Sequence, residues 1–171
     1  MSAKQGNNRN RVKVTAIYSV LCAVCIIFGY VETFIPTGLI APGVKLGLSN
    51  SVALLLLIRG DVKGAFAVNI TRILISALLF GSAFSLLFSL TAGTVSIVVC
   101  ALLMRIRSFS PVGVSVAGGV AHNIAQITVA SFVVGSGVWF YTPVLIAAGV
   151  ISGAAIGLLG VLLNKKVRID F

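Results

Sequence analysis

Val44-Lys45-Leu46-Gly47-Leu48-Ser49-Asn50 is the stretch that decides how this chain is read. It joins a Pro- and Gly-broken segment, Ile35-Pro36-Thr37-Gly38 through Ala41-Pro42-Gly43, to an apolar run that continues to Ile58. A lysine, a serine and an asparagine thus enter a hydrocarbon-compatible helix almost together. Polar groups are costly there. Ionisable and amide side chains inside membrane segments mark functional sites by default, because they face a cavity or each other rather than lipid. Farther along, Arg72 interrupts one apolar run, and His122, Asn123 and Gln126 interrupt another.

The apolar runs fix the class. With 58% hydrophobic residues, 9% charged residues and a mean hydropathy of +1.14, the chain is too apolar for a soluble domain. The 171 residues suit one compact bundle. A net charge of +10 raises the question of nucleic acid. The basic residues, however, cluster in short segments beside apolar runs, and no basic face with interleaved aromatics lies outside them. The basic head Lys4 to Lys13 precedes an apolar run longer than the roughly 7 to 15 residues of a signal peptide, so an uncleaved first helix is expected. Cys22, Cys25 and Cys100 all lie within apolar runs. The Cys22-x-x-Cys25 spacing lacks the strand-to-helix context of a redox dithiol, and these cysteines are read as small buried hydrophobes.

About 20 helical residues cross a hydrocarbon layer of roughly 30 Å. Read in order, the spans fall at about 14–34, 45–58, 64–80, 83–104, 111–134 and 142–163. The second is short for a perpendicular crossing, which local bilayer thinning or a helix that begins inside a re-entrant loop shielded by protein accommodates. Pro111 opens the fifth span, as proline can at a helix start. Residues 135–141 combine flexible glycines with Trp139, Phe140 and Tyr141 and read as a loop at headgroup level. The expected fold is an all-α integral membrane protein: six transmembrane helices over residues 14–164 between basic tails at 1–13 and 165–171, the first tail disordered.

Charge sets the orientation, since cytoplasmic ends carry the Lys and Arg excess. One side of a six-span bundle holds Lys4, Arg9, Arg11 and Lys13, then Arg59 and Lys63, then Arg105 and Arg107, then Lys165, Lys166 and Arg168. Only Lys45 and Arg72 stand elsewhere. Both termini are therefore expected in the cytoplasm of a cell-membrane protein. Gly149, Gly153 and Gly157, four residues apart and followed by Gly160, let another backbone come close. Gly113, Ala117 and Ala121 form a second small-residue row.

In that orientation Lys45 lies near the outer surface and Asn50 about 7 Å deeper, at 1.5 Å per residue. Arg72 falls near the midplane, and His122 and Gln126, one turn apart, share a face. Glu32 ends the first span on the outer side. Four helices bring polar groups to the outer half of the bundle. The expected substrate site is Glu32, Lys45, Asn50, Arg72, His122, Asn123 and Gln126. Each has a plainer reading: Lys45 snorkelling to headgroups, Arg72 in a structural ion pair with Glu32, His122 as a core histidine, the amides as helix bridges. Their joint occurrence favours a site. Cations outnumber the acid, so an anionic or zwitterionic compound is the expected ligand, with arginine offering a fork for carboxylate or phosphate.

Lys45-Leu46-Gly47-Leu48-Ser49-Asn50, the Arg72-centred third span, Ser115-Val116-Ala117-Gly118-Gly119 and His122-Asn123-x-x-Gln126 resemble the Gx transporter family, also labelled heptaprenyl diphosphate synthase component I. The resemblance runs from about Thr15 to Leu163. That family is similar in span count and size to the S components of energy-coupling factor transporters. This implies an S-component-like bundle binding a vitamin-like micronutrient near the outer face, with a transmembrane coupling subunit and two ATPases as partners. S components usually present an Ala-x-x-x-Ala patch on the first helix; the nearest pair here is Ser19-x-x-x-Ala23, with Ala16 a turn earlier.

The synthase label is tested by chemistry. A prenyl-elongating enzyme needs clustered carboxylates to hold magnesium against diphosphate, whereas the acids here are Glu32, Asp61 and Asp170, isolated on different segments. No phosphate loop, metal pair or nucleophile with base and orienter stands out. The chain is expected to be no enzyme and to carry no cofactor and no metal. Two functions remain: uptake of a micronutrient, energised by a partner or an ion gradient, and an accessory role in isoprenoid, quinone or flavin-linked metabolism. The accessory protein would bind a lipid diphosphate or redox cofactor. A third reading is a purely structural scaffold.

Overall fold

The computed structural model describes residues 2–34 and 47–167. Among these residues six α-helices follow one another: α1 (Ser2–Thr33), α2 (Asn50–Ile58), α3 (Val62–Phe80), α4 (Ala83–Leu103), α5 (Pro111–Val134) and α6 (Thr142–Lys166). No strand occurs among the described residues. Five stretches, all but α2, are long and apolar enough to cross a membrane.

α2 departs from the expected span. Its helix starts at Asn50 rather than Lys45 and has nine residues, about 13 Å of rise. Gly47 carries φ of +74°, a left-handed conformation that glycine adopts freely and that an α-helix cannot contain. Leu48 and Ser49 form the turn that follows, with Asn50 N–H donating to Gly47 O at 2.7 Å. Lys45 itself lies outside the described residues. Every residue from Ser51 to Leu57 is buried, as in a helix enclosed on all sides. α1, α3, α4 and α6 surround it. Leu56, Val52, Cys25 and Val114 are among the most enclosed side chains of this core. Cys22, Cys25 and Cys100 are buried free thiols.

Two further segments differ from expectation. α1 already begins at Ser2, not at Val14: adding turns to a nucleated helix is easy where no proline intervenes. Residues 136–141 form a 3-10 helix rather than an irregular loop. It follows Gly135 at φ +103°, and Thr142 Oγ1 donates to Trp139 O at 2.7 Å across its end.

The remaining turns follow local rules. Ser82 and Ser110 cap α4 and α5 by accepting from Ser85 N–H and Gly113 N–H, both at 3.1 Å, and Pro111 opens α5. Asp61 caps α3, accepting from Gly64 N–H at 2.8 Å, while its other oxygen accepts from Tyr18 Oη of α1. One carboxylate thus fastens α1 to the α2–α3 turn. Asp61→Ala is expected to cost about 1–2 kcal/mol, the worth of a helix cap, and Tyr18→Phe about 1 kcal/mol; thermal unfolding in mild detergent checks both. At the same end, Arg59 Nε donates to Asn164 Oδ1 at 3.1 Å and its Nη2 donates to Val167 O, tying α2 to the end of α6.

α5 and α6 meet backbone to backbone. A Cβ on Gly119 would lie 2.5 Å from Gly149 O; one on Gly153, 2.7 Å from Ser115 O; one on Gly157, 2.7 Å from Val112 Cα. The partners of the 149/153/157 row on α5 are therefore Val112, Ser115, Val116 and Gly119, rather than the Gly113, Ala117, Ala121 row.

Candidate functional site

The site grows from where α2 stops short. Arg72 stands ten residues after Val62 and eight before Phe80, so about 15 Å and 12 Å of helix separate it from the two ends of α3. α2, running back from Ile58, reaches a similar depth at its first residue. The chain leaving Gly47 therefore begins its helix beside Arg72, and the turn's polar side chains meet the guanidinium.

Arg72 Nη1 donates to Ser49 Oγ at 2.8 Å. Nη2 donates to Asn50 Oδ1 at 2.6 Å and to Asn69 Oδ1 at 2.7 Å. Nε donates to the same Asn69 oxygen at 3.1 Å. Asn69 lies one turn before Arg72, and Ala65, Val68, Asn69 and Ile73 on that side of α3 are all buried. Glu32, in the last turn of α1, accepts from Leu48 N–H at 2.5 Å, and Cys25 Sγ donates to Ser49 O at 3.4 Å. α1 thereby holds both ends of the Leu48–Ser49 turn. Glu32 is near enough for its charge to act on Arg72, yet the hydrogen bonds of Arg72 go to Ser49, Asn50 and Asn69 rather than to that carboxylate.

α5 supplies the opposite wall. Asn50, Ser96, Ser115, Gly119, Cys100 and Ile156 line a gap of about 30 Å³ between α2, α4, α5 and α6. That volume suits about one water and is far below the roughly 300 Å³ of small ligand pockets. Ser115, Gly119, His122 and Gln126 follow at steps of four, three and four, which places them on one helical face. His122 and Gln126, both partly buried, continue that face from the gap toward the Val134 end. Asn123, one turn beyond Gly119, lies on the α6 edge of that face: buried, it donates from Nδ2 to Leu145 O of α6 at 2.7 Å. Asn123→Ala is expected to lower stability by about 0.6–1.7 kcal/mol, the range of interhelical hydrogen bonds in membranes, as read by detergent unfolding.

The structure thus brings Glu32, Asn50 and Arg72 together at the α2 turn, and helical spacing puts His122 and Gln126 on the α5 face that continues from the gap behind Asn50. Asn123 bridges α5 to α6. Ser49 and Asn69 are contributors that the sequence reading left out of the site. The signal for Asn69 was available: an amide three residues before a mid-span arginine is its neighbour on the helix.

The acids do not converge. Glu32 sits at the end of α1 and Asp61 is bound to Tyr18, about 20 Å back along that helix. Among the described residues no group of three His, Cys, Asp or Glu side chains is placed to hold a metal ion.

No curated protein and no solved structure matches the chain. A family model does, over residues 21–163, a stretch that takes in the end of α1, the Arg72 cluster, the α5 face and nearly all of α6. The chain belongs to the heptaprenyl diphosphate synthase component I family, the Gx transporter-like family.

Proposed function

We propose that the protein is a substrate-binding membrane subunit for uptake of a small anionic or zwitterionic, vitamin-like micronutrient. It crosses the cell membrane six times, with α2 in the second crossing and both termini in the cytoplasm. The short charged segments support that orientation, because the lysines and arginines outside Lys45 and Arg72 fall on one side. The observation that carries the reading is Arg72: a guanidinium at mid-depth, too far from either helix end to snorkel easily, hydrogen-bonded to neutral oxygens. Such residues in membranes face substrate paths.

Arg72 and Lys45 hold the ligand's negative group in this reading, Glu32 a cationic or hydroxyl group, and Asn50, His122 and Gln126 its orientation, while Asn123 bridges α5 to α6. The gap behind Asn50 is water-sized, so the ligand sits on the partly exposed side of Arg72. The subunit is not an enzyme and draws its energy from a partner, such as a transmembrane coupling subunit with two ATPases, or from an ion gradient.

The family's description, which names a component of an isoprenoid synthase, favours a second reading: a non-catalytic accessory protein that binds a lipid diphosphate. Comparing spent medium and membrane extracts of a deletion strain and its parent by mass spectrometry separates the two. Uptake predicts that the parent alone depletes an anionic or zwitterionic nutrient. Unchanged medium with altered prenyl diphosphates or quinones overturns uptake in favour of the accessory role.

A further inference from the structure

Arg72 is caged by neutral oxygens. Ser49 Oγ, Asn50 Oδ1 and Asn69 Oδ1 receive its four hydrogen bonds, while the neighbouring acid, Glu32, accepts from Leu48 N–H. Asn69 is the informative member. It is 1% exposed, its Oδ1 takes two bonds from the guanidinium, and its Nδ2 is buried with no hydrogen-bond partner. That nitrogen lies against Gly93 of α4, where a Cβ would come within 2.9 Å of it.

A buried donor left unpaired costs stability. Turning the amide over would aim its N–H groups at those of Arg72 and lose two charge-assisted bonds, so the stranded Nδ2 is a consequence of holding Arg72. An aspartate has the same outline, would strand no N–H, and would give Arg72 a carboxylate partner. It would also cancel the arginine's charge.

We propose that Asn69, with Ser49 and Asn50, positions Arg72 while preserving its charge, so that the site selects a ligand bringing its own oxyanion, a carboxylate or a phosphate. This rests on the reading of Arg72 as a ligand-binding group. No oxygen that Arg72 contacts carries a charge; the contacting anion comes from the ligand. Gly93 belongs to the device, because a side chain there would displace the Asn69 amide.

The test titrates the full chain in mild detergent with inorganic pyrophosphate and with succinate, using choline as the cationic control and thermal stabilisation as the readout. The wild type is expected to show saturable stabilisation by at least one oxyanion and none by choline. Asn69→Asp is expected to weaken that affinity about 10- to 100-fold, the loss of a charged hydrogen-bonded contact. Should Asn69→Asp not fold, Asn50→Asp, at a partly exposed position, is expected to show the same loss. In an Arg72→Ala background the aspartate is expected to add nothing, which separates a charge effect from a packing effect. Wild-type affinity in a folded aspartate variant overturns the cage while leaving Arg72 as the ligand group. Absence of oxyanion binding by the wild type overturns the reading of Arg72 itself.

Discussion

Arg72→Ala is expected to weaken ligand binding about 10- to 100-fold, the value of a charge-assisted contact, while the chain still inserts and purifies. The substitution removes the mid-span guanidinium and leaves Ser49, Asn50 and Asn69 as neutral groups able to bond one another or water. Arg72→Lys keeps the charge, but a single ammonium cannot reach Ser49, Asn50 and Asn69 in the plane that the guanidinium spans. It is expected to fall between the wild type and alanine. The check is complementation of a deletion strain, with uptake of the depleted nutrient read against membrane levels of each variant. A scaffold protein would behave differently: Arg72→Ala and His122→Ala would change stability and leave uptake intact. Normal uptake in both variants removes the site.

The largest expected stability effect lies on the α5–α6 seam. A Cβ on Gly153 meets Ser115 O and Val116 Cα at 2.7 Å, and neither is the end of a flexible side chain that can move aside. Valine adds two methyl groups to that clash, so the helices must separate along the seam. Gly153→Val is expected to cost about 3 kcal/mol, the upper part of the range for overpacking. Gly29→Ala is the control: a Cβ there meets nothing within 4 Å, and alanine in a helix is worth up to about 1 kcal/mol over glycine. Thermal melts in the same detergent compare the two. Equal melts would mean that the close approach of Gly119, Gly149, Gly153 and Gly157 does not hold the bundle together.

Length and apolarity were enough to read five of the helices, because a hydrocarbon layer demands runs of that kind. Pro111 marked the start of α5 for a local reason that sequence displays directly. α2 was harder. Its apolar run from Leu46 looks continuous, and only the left-handed backbone at Gly47 delays the helix to Asn50. Gly occurs in so many membrane helices that its presence alone cannot signal a break. The same limit applies to 136–141, where glycines next to aromatics suit a loop or a 3-10 helix equally well.

At the site, Arg72 and Asn50 stood out as polar interruptions of apolar runs, and the structure joins them by a hydrogen bond of 2.6 Å. Ser49 and Asn69 needed geometry: a serine in a membrane helix most often bonds its own backbone, and only the side chain's bond to Arg72 marks this one. Asn123 shows the reverse case. It lies about 100° round the helix from His122, and its amide is taken up by Leu145 O of α6. Adjacent letters in a polar motif can therefore serve different partners. The ion pair of Arg72 with Glu32, a natural pairing on charge alone, gives way to a backbone contact at Leu48 N–H, because that turn would otherwise leave a donor without a partner inside the bundle.

In the proposed function Arg72 anchors a small anionic or zwitterionic ligand. Native mass spectrometry of the protein in mild detergent, wild type against Arg72→Ala, tests it most directly. A water-soluble, negatively charged or zwitterionic molecule is expected bound to the wild type and lost from the variant, with a mass that names the substrate class. An isoprenoid diphosphate, a quinone or a synthase subunit retained equally by both proteins would contradict it.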